Sequence, residues 1–87
     1  MAWTIEYLDS VRKTLDKMDR GVAREIYGYL DDLRGLDDVR VRGKGLTANR
    51  SGLWHYRVRD IRIICEIQDE VLKVLVVHIG KRETAYR

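Results

Sequence analysis

Eighty-seven residues, 45% of them hydrophobic and 36% charged, fit a single domain (1–87) and exclude both a multidomain chain and a disordered one. The net charge of +3 hides a split: residues 1–38 hold six Lys/Arg against nine Asp/Glu, and residues 39–87 hold eleven against five. A basic half on so small a domain points to a polyanionic partner, most simply a nucleic acid, against the blander reading of scattered solubilising charge.

A single cysteine, Cys65, excludes an internal disulfide, and its place in the apolar run Ile61-Arg62-Ile63-Ile64-Cys65 marks it as a small buried hydrophobe. With only two histidines, far apart, a structural zinc site is not expected, and the sequence calls for no metal or cofactor. Nothing at Met1-Ala2-Trp3-Thr4-Ile5-Glu6 resembles a secretion signal, and no segment approaches the length that spans a membrane, so the expected compartment is the cytoplasm.

In chain order, Trp3 to Tyr7 alternates loosely and predicts a short first strand. Leu8, Val11, Leu15 and Met18 then recur at spacings of three and four, a helical stripe. Asp19-Arg20-Gly21 predicts a break, with Asp19 suited to cap the next helix. Val22, Ile26, Leu30 and Leu33 form a second stripe that stops near Gly35, making a helix hairpin with one shared apolar face.

From Asp37 to Gly52 periodicity is lost and glycines accumulate among Lys and Arg, which predicts a basic loop. Leu53 to Arg59 alternates, with Trp54, Tyr56 and Val58 on one face and His55, Arg57 and Arg59 on the other. Ile61 to Ile67 alternates again, putting Ile61, Ile63, Cys65 and Ile67 opposite Arg62, Ile64 and Glu66. Gln68-Asp69-Glu70 reads as a turn, and Val71 to Ile79 as a central strand buried on both faces. The expected architecture is α+β: an N-terminal strand, a helix hairpin, then a three-strand antiparallel meander with the helices on one sheet face.

The polar sheet face would carry His55, Arg57, Arg59 and Arg62, a repulsive cluster that a functional site tolerates better than a structural one. Cleavage of RNA by its own 2′-hydroxyl requires a base, cations for the phosphate and a proton for the leaving 5′-oxygen. His55 titrates near neutrality and suits the base or the acid. Arg57, Arg62 and Arg82 offer planar forks for phosphate, and Tyr86 offers a ring for stacking or a hydroxyl to donate. His78, in the apolar last strand, reads as structural.

The stretch from Gly52 to Ile67, with Leu53-Trp54-His55-Tyr56-Arg57-Val58 and Ile61-Arg62-Ile63-Ile64-Cys65, resembles the signature strand pair of the RelE/ParE toxin superfamily. Val74 to Tyr86, with Gly80-Lys81-Arg82, resembles its closing strand and tail, and the helix hairpin fits the same scaffold. By this resemblance the chain is a toxin of a type II toxin–antitoxin system, of the RelE kind that cuts messenger RNA in the 30S A site. The resemblance then implies catalytic roles for His55, Arg57, Arg62, Arg82 and Tyr86, and RNA contacts from Lys44, Arg59 and Lys81. It also implies a cognate antitoxin, with operator DNA bound only through the toxin–antitoxin complex. The alternative within the superfamily is a ParE-like inhibitor of DNA gyrase that catalyses nothing. His55 stands where some members have lysine, Arg59 where many have glycine, and Ile61 where many have tyrosine.

Overall fold

The computed structural model describes residues 3–45 and 53–81. Strand β1 (Thr4–Tyr7) leads into helices α1 (Asp9–Lys17) and α2 (Arg20–Asp32). Three further strands, β3 (Leu53–Val58), β4 (Ile61–Gln68) and β5 (Lys73–Lys81), form the expected meander. A two-residue strand, β2 (Lys44–Gly45), precedes them.

The helices end where local chemistry ends them. Asp19 caps α2 by accepting a hydrogen bond from the Val22 amide at 3.2 Å. After Asp32 the chain tightens into a 3-10 turn over Leu33–Gly35. Val11 and Leu15 of α1, with Ala23, Ile26 and Leu30 of α2, bury one stripe against the sheet. The sheet answers with Tyr56, Val58, Ile61, Ile63, Cys65, Ile67, Val74, Val76 and Ile79. Each fully buried Leu, Ile or Val contributes roughly 1.5–3 kcal/mol.

The sheet order is β1-β5-β4-β3-β2, with β1 parallel to β5 and every other pair antiparallel. Two sequence expectations are corrected here. The basic loop is not wholly irregular: a 3-10 turn at Val39–Val41 and strand β2 lie within it. Strand β5 is central, but it is buried on one face only, through Val74, Val76 and Ile79, while Leu75 and Val77 are half-exposed.

A bulge explains both the misreading of β5 and the place of His78. Ile64 pairs with His78 but Cys65 pairs with Val76, so Val77 is an extra residue. Unbroken alternation after Val74 and Val76 would turn His78 into the core. The bulge brings Ile79 in instead and leaves His78 exposed, which removes the structural role expected for it. Cys65 is buried, as its apolar run implies. No helix among the described residues is long and apolar enough to cross a membrane.

Candidate functional site

The register places the candidate residues His55, Arg57 and Arg62 on the sheet face away from the helices. Arg57 of β3 is opposite Arg62 of β4, which is opposite Gly80 of β5. In the neighbouring row Lys44 of β2, His55, Ile64 and His78 follow one another across four strands. Lys44, His55, Arg57 and Arg62 line a cavity of about 320 Å³ together with Tyr29, Gly43 and Tyr56. It reaches Tyr29 of α2 and lies where β2 begins, at Gly43 and Lys44.

Two of these residues differ from the solvated face expected. His55 and Arg62 are each only 7% exposed. The guanidinium Nη1 of Arg62 stands 2.6 Å from Nδ1 of His55. A guanidinium only donates, so Nδ1 accepts and the neutral ring carries its proton on Nε2. Burial first, then the charges of Arg62 and Lys44, hold the His55 pKa below its ordinary value. The ring is therefore neutral at neutral pH. Arg57 remains exposed. Among the described residues the cavity lining contains three cations and no carboxylate, an arrangement that favours an anion.

The wall formed by Gly43 and Lys44 is held by β3 from beneath. Tyr56 donates its hydroxyl to the Val39 carbonyl at 2.8 Å, and Trp54 donates its indole N–H to the Arg42 carbonyl at 2.6 Å. Gly43 has φ +77°, and a Cβ there would press on the His55 carbonyl oxygen and come within 2.8 Å of Trp54 Nε1. Arg42 lies 5.3 Å over the ring of Tyr29, which in turn meets Tyr56 edge-on at 5.9 Å. The sequence offered glycine and scattered basic residues as hints of this wall. It offered none for Tyr29, which enters from another element.

Arg59 and Lys81 are not part of the cavity lining. Strand β3 ends at Val58, Arg59 turns with φ 59°, and its Nε reaches Glu25 of α2 at 2.8 Å. Lys81 is in register with Ile61, on the helix-covered face, and borders a separate groove with Met18, Val22 and Arg59. Arg82 and Tyr86 lie outside the described residues. No group of three His, Cys, Asp or Glu suited to a metal ion converges among the described residues.

The described residues form a small α+β domain with a cationic cavity beside its sheet, and comparison with known proteins gives the family. The family model described as ParE toxin of type II toxin-antitoxin system, parDE, matches residues 5–86. The chain therefore belongs to this toxin family, within the RelE/ParE superfamily of type II toxin–antitoxin systems. No curated protein sequence matches it.

Solved structures share the fold. A chain of a RelBE toxin–antitoxin complex from Mycobacterium tuberculosis is 20% identical, with TM-score 0.80 and coverage of 94% of this chain and 93% of that one. Escherichia coli toxin RelE, as a mutant in the free state, is 18% identical with TM-score 0.79, covering 99% and 90%. A chain of the archaeal RelE–RelB complex from Pyrococcus horikoshii is 18% identical with TM-score 0.76, covering 94% and 97%. At these identities the likeness is one of fold.

Proposed function

We propose that this toxin is a ribosome-dependent endoribonuclease that cleaves messenger RNA in the A site. The observation that carries this reading is the convergence of Lys44, Arg57 and Arg62 around a neutral histidine in one cavity, with no carboxylate among the described lining residues. The cations hold the scissile phosphate and offset the charge that develops on it. His55 takes the 2′-hydroxyl proton, and the freed oxygen pair forms the O2′–P bond. The P–O5′ bond breaks, its electron pair leaves with O5′, and that oxygen takes a proton from solvent. The products are a 2′,3′-cyclic phosphate and a 5′-hydroxyl. The step needs no metal. The superfamily resemblance adds Arg82 to the phosphate clamp and Tyr86 to the stacking or proton donation, with Arg59 and Lys81 as more distant RNA contacts.

A cavity with three cations grips a phosphate but does not align a flexible chain, so the 30S decoding centre supplies the order. The partner is a cognate antitoxin, in keeping with the toxin–antitoxin complexes among the structural neighbours. Through it the complex binds operator DNA, and the place of action is the cytoplasm. A second reading, a gyrase inhibitor without chemistry, is favoured by the match to the ParE family in particular.

Translation of a defined message with purified ribosomes, followed by mapping of 5′ ends, tests the first reading. Cuts inside the A-site codon, lost in Arg62→Ala, are expected. Intact message together with blocked supercoiling by purified gyrase would replace it with the second.

A further inference from the structure

The contact between Arg62 and His55 has a chemical consequence. With Nδ1 accepting from Arg62 and Nε2 carrying the proton, neither ring nitrogen of His55 offers an open lone pair. A base of this kind is latched. The cation that latches it is also one of the three that line the cavity where an anion would sit.

We infer that Arg62 is a substrate-released latch on His55: an incoming phosphate draws the guanidinium from Nδ1 to its own oxygens and so exposes the lone pair that accepts the 2′-hydroxyl proton. This rests on the cleavage reading above and specifies how its base is switched on. The driving force is the difference between acceptors. A guanidinium hydrogen-bonded to an anionic oxygen makes a charge-assisted pair, roughly twice as strong as a bond to a neutral nitrogen. An arginine can also offer a fork of two donors to a phosphate, whereas an imidazole edge accepts one.

The groups around the ring reinforce the effect. Lys44 comes from β2, Arg57 from the ring's own strand, Arg62 from β4, and Tyr29 from α2, with Tyr56 completing the wall. None of these described residues is a carboxylate, and a bound anion would offset their positive charge. Once the anion offsets that charge, protonation of His55 becomes easier, and the released lone pair gains basicity as well as access. Linkage makes the effect reciprocal: an anion that raises the proton affinity of His55 must itself bind more tightly to the protonated ring. The latch also keeps the base idle without substrate, which suits a surface whose chemistry is needed only on an ordered RNA.

The test follows the His55 ring by nitrogen-15 NMR in the full chain, titrated with and without inorganic pyrophosphate, with His78 as an internal reference. Without the anion, Nε2 should be the protonated nitrogen. With it, the His55 titration should move up by about one pH unit, roughly tenfold in proton affinity. In Arg62→Gln the ring should titrate higher from the start, and pyrophosphate should move it much less. A proton on Nδ1 in the free protein, no displacement at any pyrophosphate concentration, or an equal displacement in Arg62→Gln would each overturn the latch. The wild-type measurements stand even if the buried substitution prevents folding. Because no RNA is involved, failure here is separate from failure to cleave message on ribosomes.

Discussion

Arg40 grips Asp69 with both arms of its guanidinium, Nη1 and Nη2 each standing 2.9 Å from a different carboxylate oxygen. The same guanidinium lies 5.9 Å from the centre of the Trp54 ring. This clasp ties the segment that forms the cavity wall to the turn between β4 and β5, whereas the two hydrogen bonds beneath that wall come from β3. A strand of two residues has little stability of its own, so β2 depends on such anchors.

Asp69→Asn should therefore loosen residues 39–45 locally while leaving global unfolding nearly unchanged, since a solvent-exposed pair adds little to the whole. Its hydrogen bond to Arg40 lowers the Asp69 pKa. A depressed carboxylate contributes above its ordinary 3.8 and loses that contribution as pH falls through the folded value, so the clasp is closed throughout neutral and mildly acidic conditions. Hydrogen exchange at residues 39–45 should quicken several-fold in the variant. Unaltered exchange would mean that β3 alone holds the wall.

Gly43→Ala should be more damaging than any other single methyl added to the wall. The position combines a left-handed φ of +77° with no room for a Cβ beside Trp54 and Tyr56. Backbone strain of this kind is worth about 1–3 kcal/mol, and the clash compounds it. The expected result is a lower thermal midpoint with loss of the Trp54–Arg42 contact, followed by indole fluorescence. Gly28→Ala, where a Cβ meets nothing within 4 Å, provides the control.

Much of this architecture was legible because period and burial coincide. The three-and-four spacing of Val11 and Leu15, and of Ile26 and Leu30, marks faces that are buried. The alternation through Tyr56 and Val58 and through Ile61, Ile63 and Cys65 does the same for two strands. Strand β2 was not legible, since its position comes from Trp54 and Tyr56 bonding to carbonyls of a segment with no pattern of its own. The parallel seat of β1 beside β5 is a long-range fact that a loosely alternating tetrapeptide cannot announce. The parity of His55 and Arg62 was correct, but their burial was hidden because basic residues on a strand ordinarily signal solvent. Arg59 broke the parity rule by becoming the turn.

That turn gives a third prediction. Arg59 holds φ 59° without being glycine, a strain of about 1–2 kcal/mol. Its ion pair with Glu25 is largely exposed and returns about 0–1 kcal/mol. Arg59→Gly should thus be neutral to stabilising in urea denaturation, and Arg59→Ala, which keeps the strain and loses the pair, should be destabilising. Cleavage by Arg59→Gly should fall far less than by Arg57→Ala, because Arg59 is absent from the cavity lining. A glycine variant less stable than the wild type would show that the ion pair outweighs the turn, and one less stable than the alanine variant that the turn holds no strain for glycine to relieve.

The last prediction concerns pH and His55. Burial, then Arg62, then Lys44 depress its pKa below the ordinary 6.5. In the unfolded chain the imidazole gains a proton as pH drops through about 6.5, while in the fold it stays neutral until a lower pH. Between those two values the unfolded state binds more protons, so acidification must destabilise the protein there. Above 6.5 both states are neutral and the contribution is flat. Asp69 loses its own contribution only below 3.8, outside this window. Urea midpoints measured from pH 8 down to pH 5 should accordingly fall in the wild type and fall less in His55→Asn. The cleavage rate should follow the same group: level above neutrality, declining on the acid side as the base becomes protonated, with that limb missing in His55→Asn. Identical acid slopes for the two proteins would show that the folded ring protonates as freely as the unfolded one. In that case Arg62 and burial do not hold it neutral, and the tautomer assigned to the site would have to be given up.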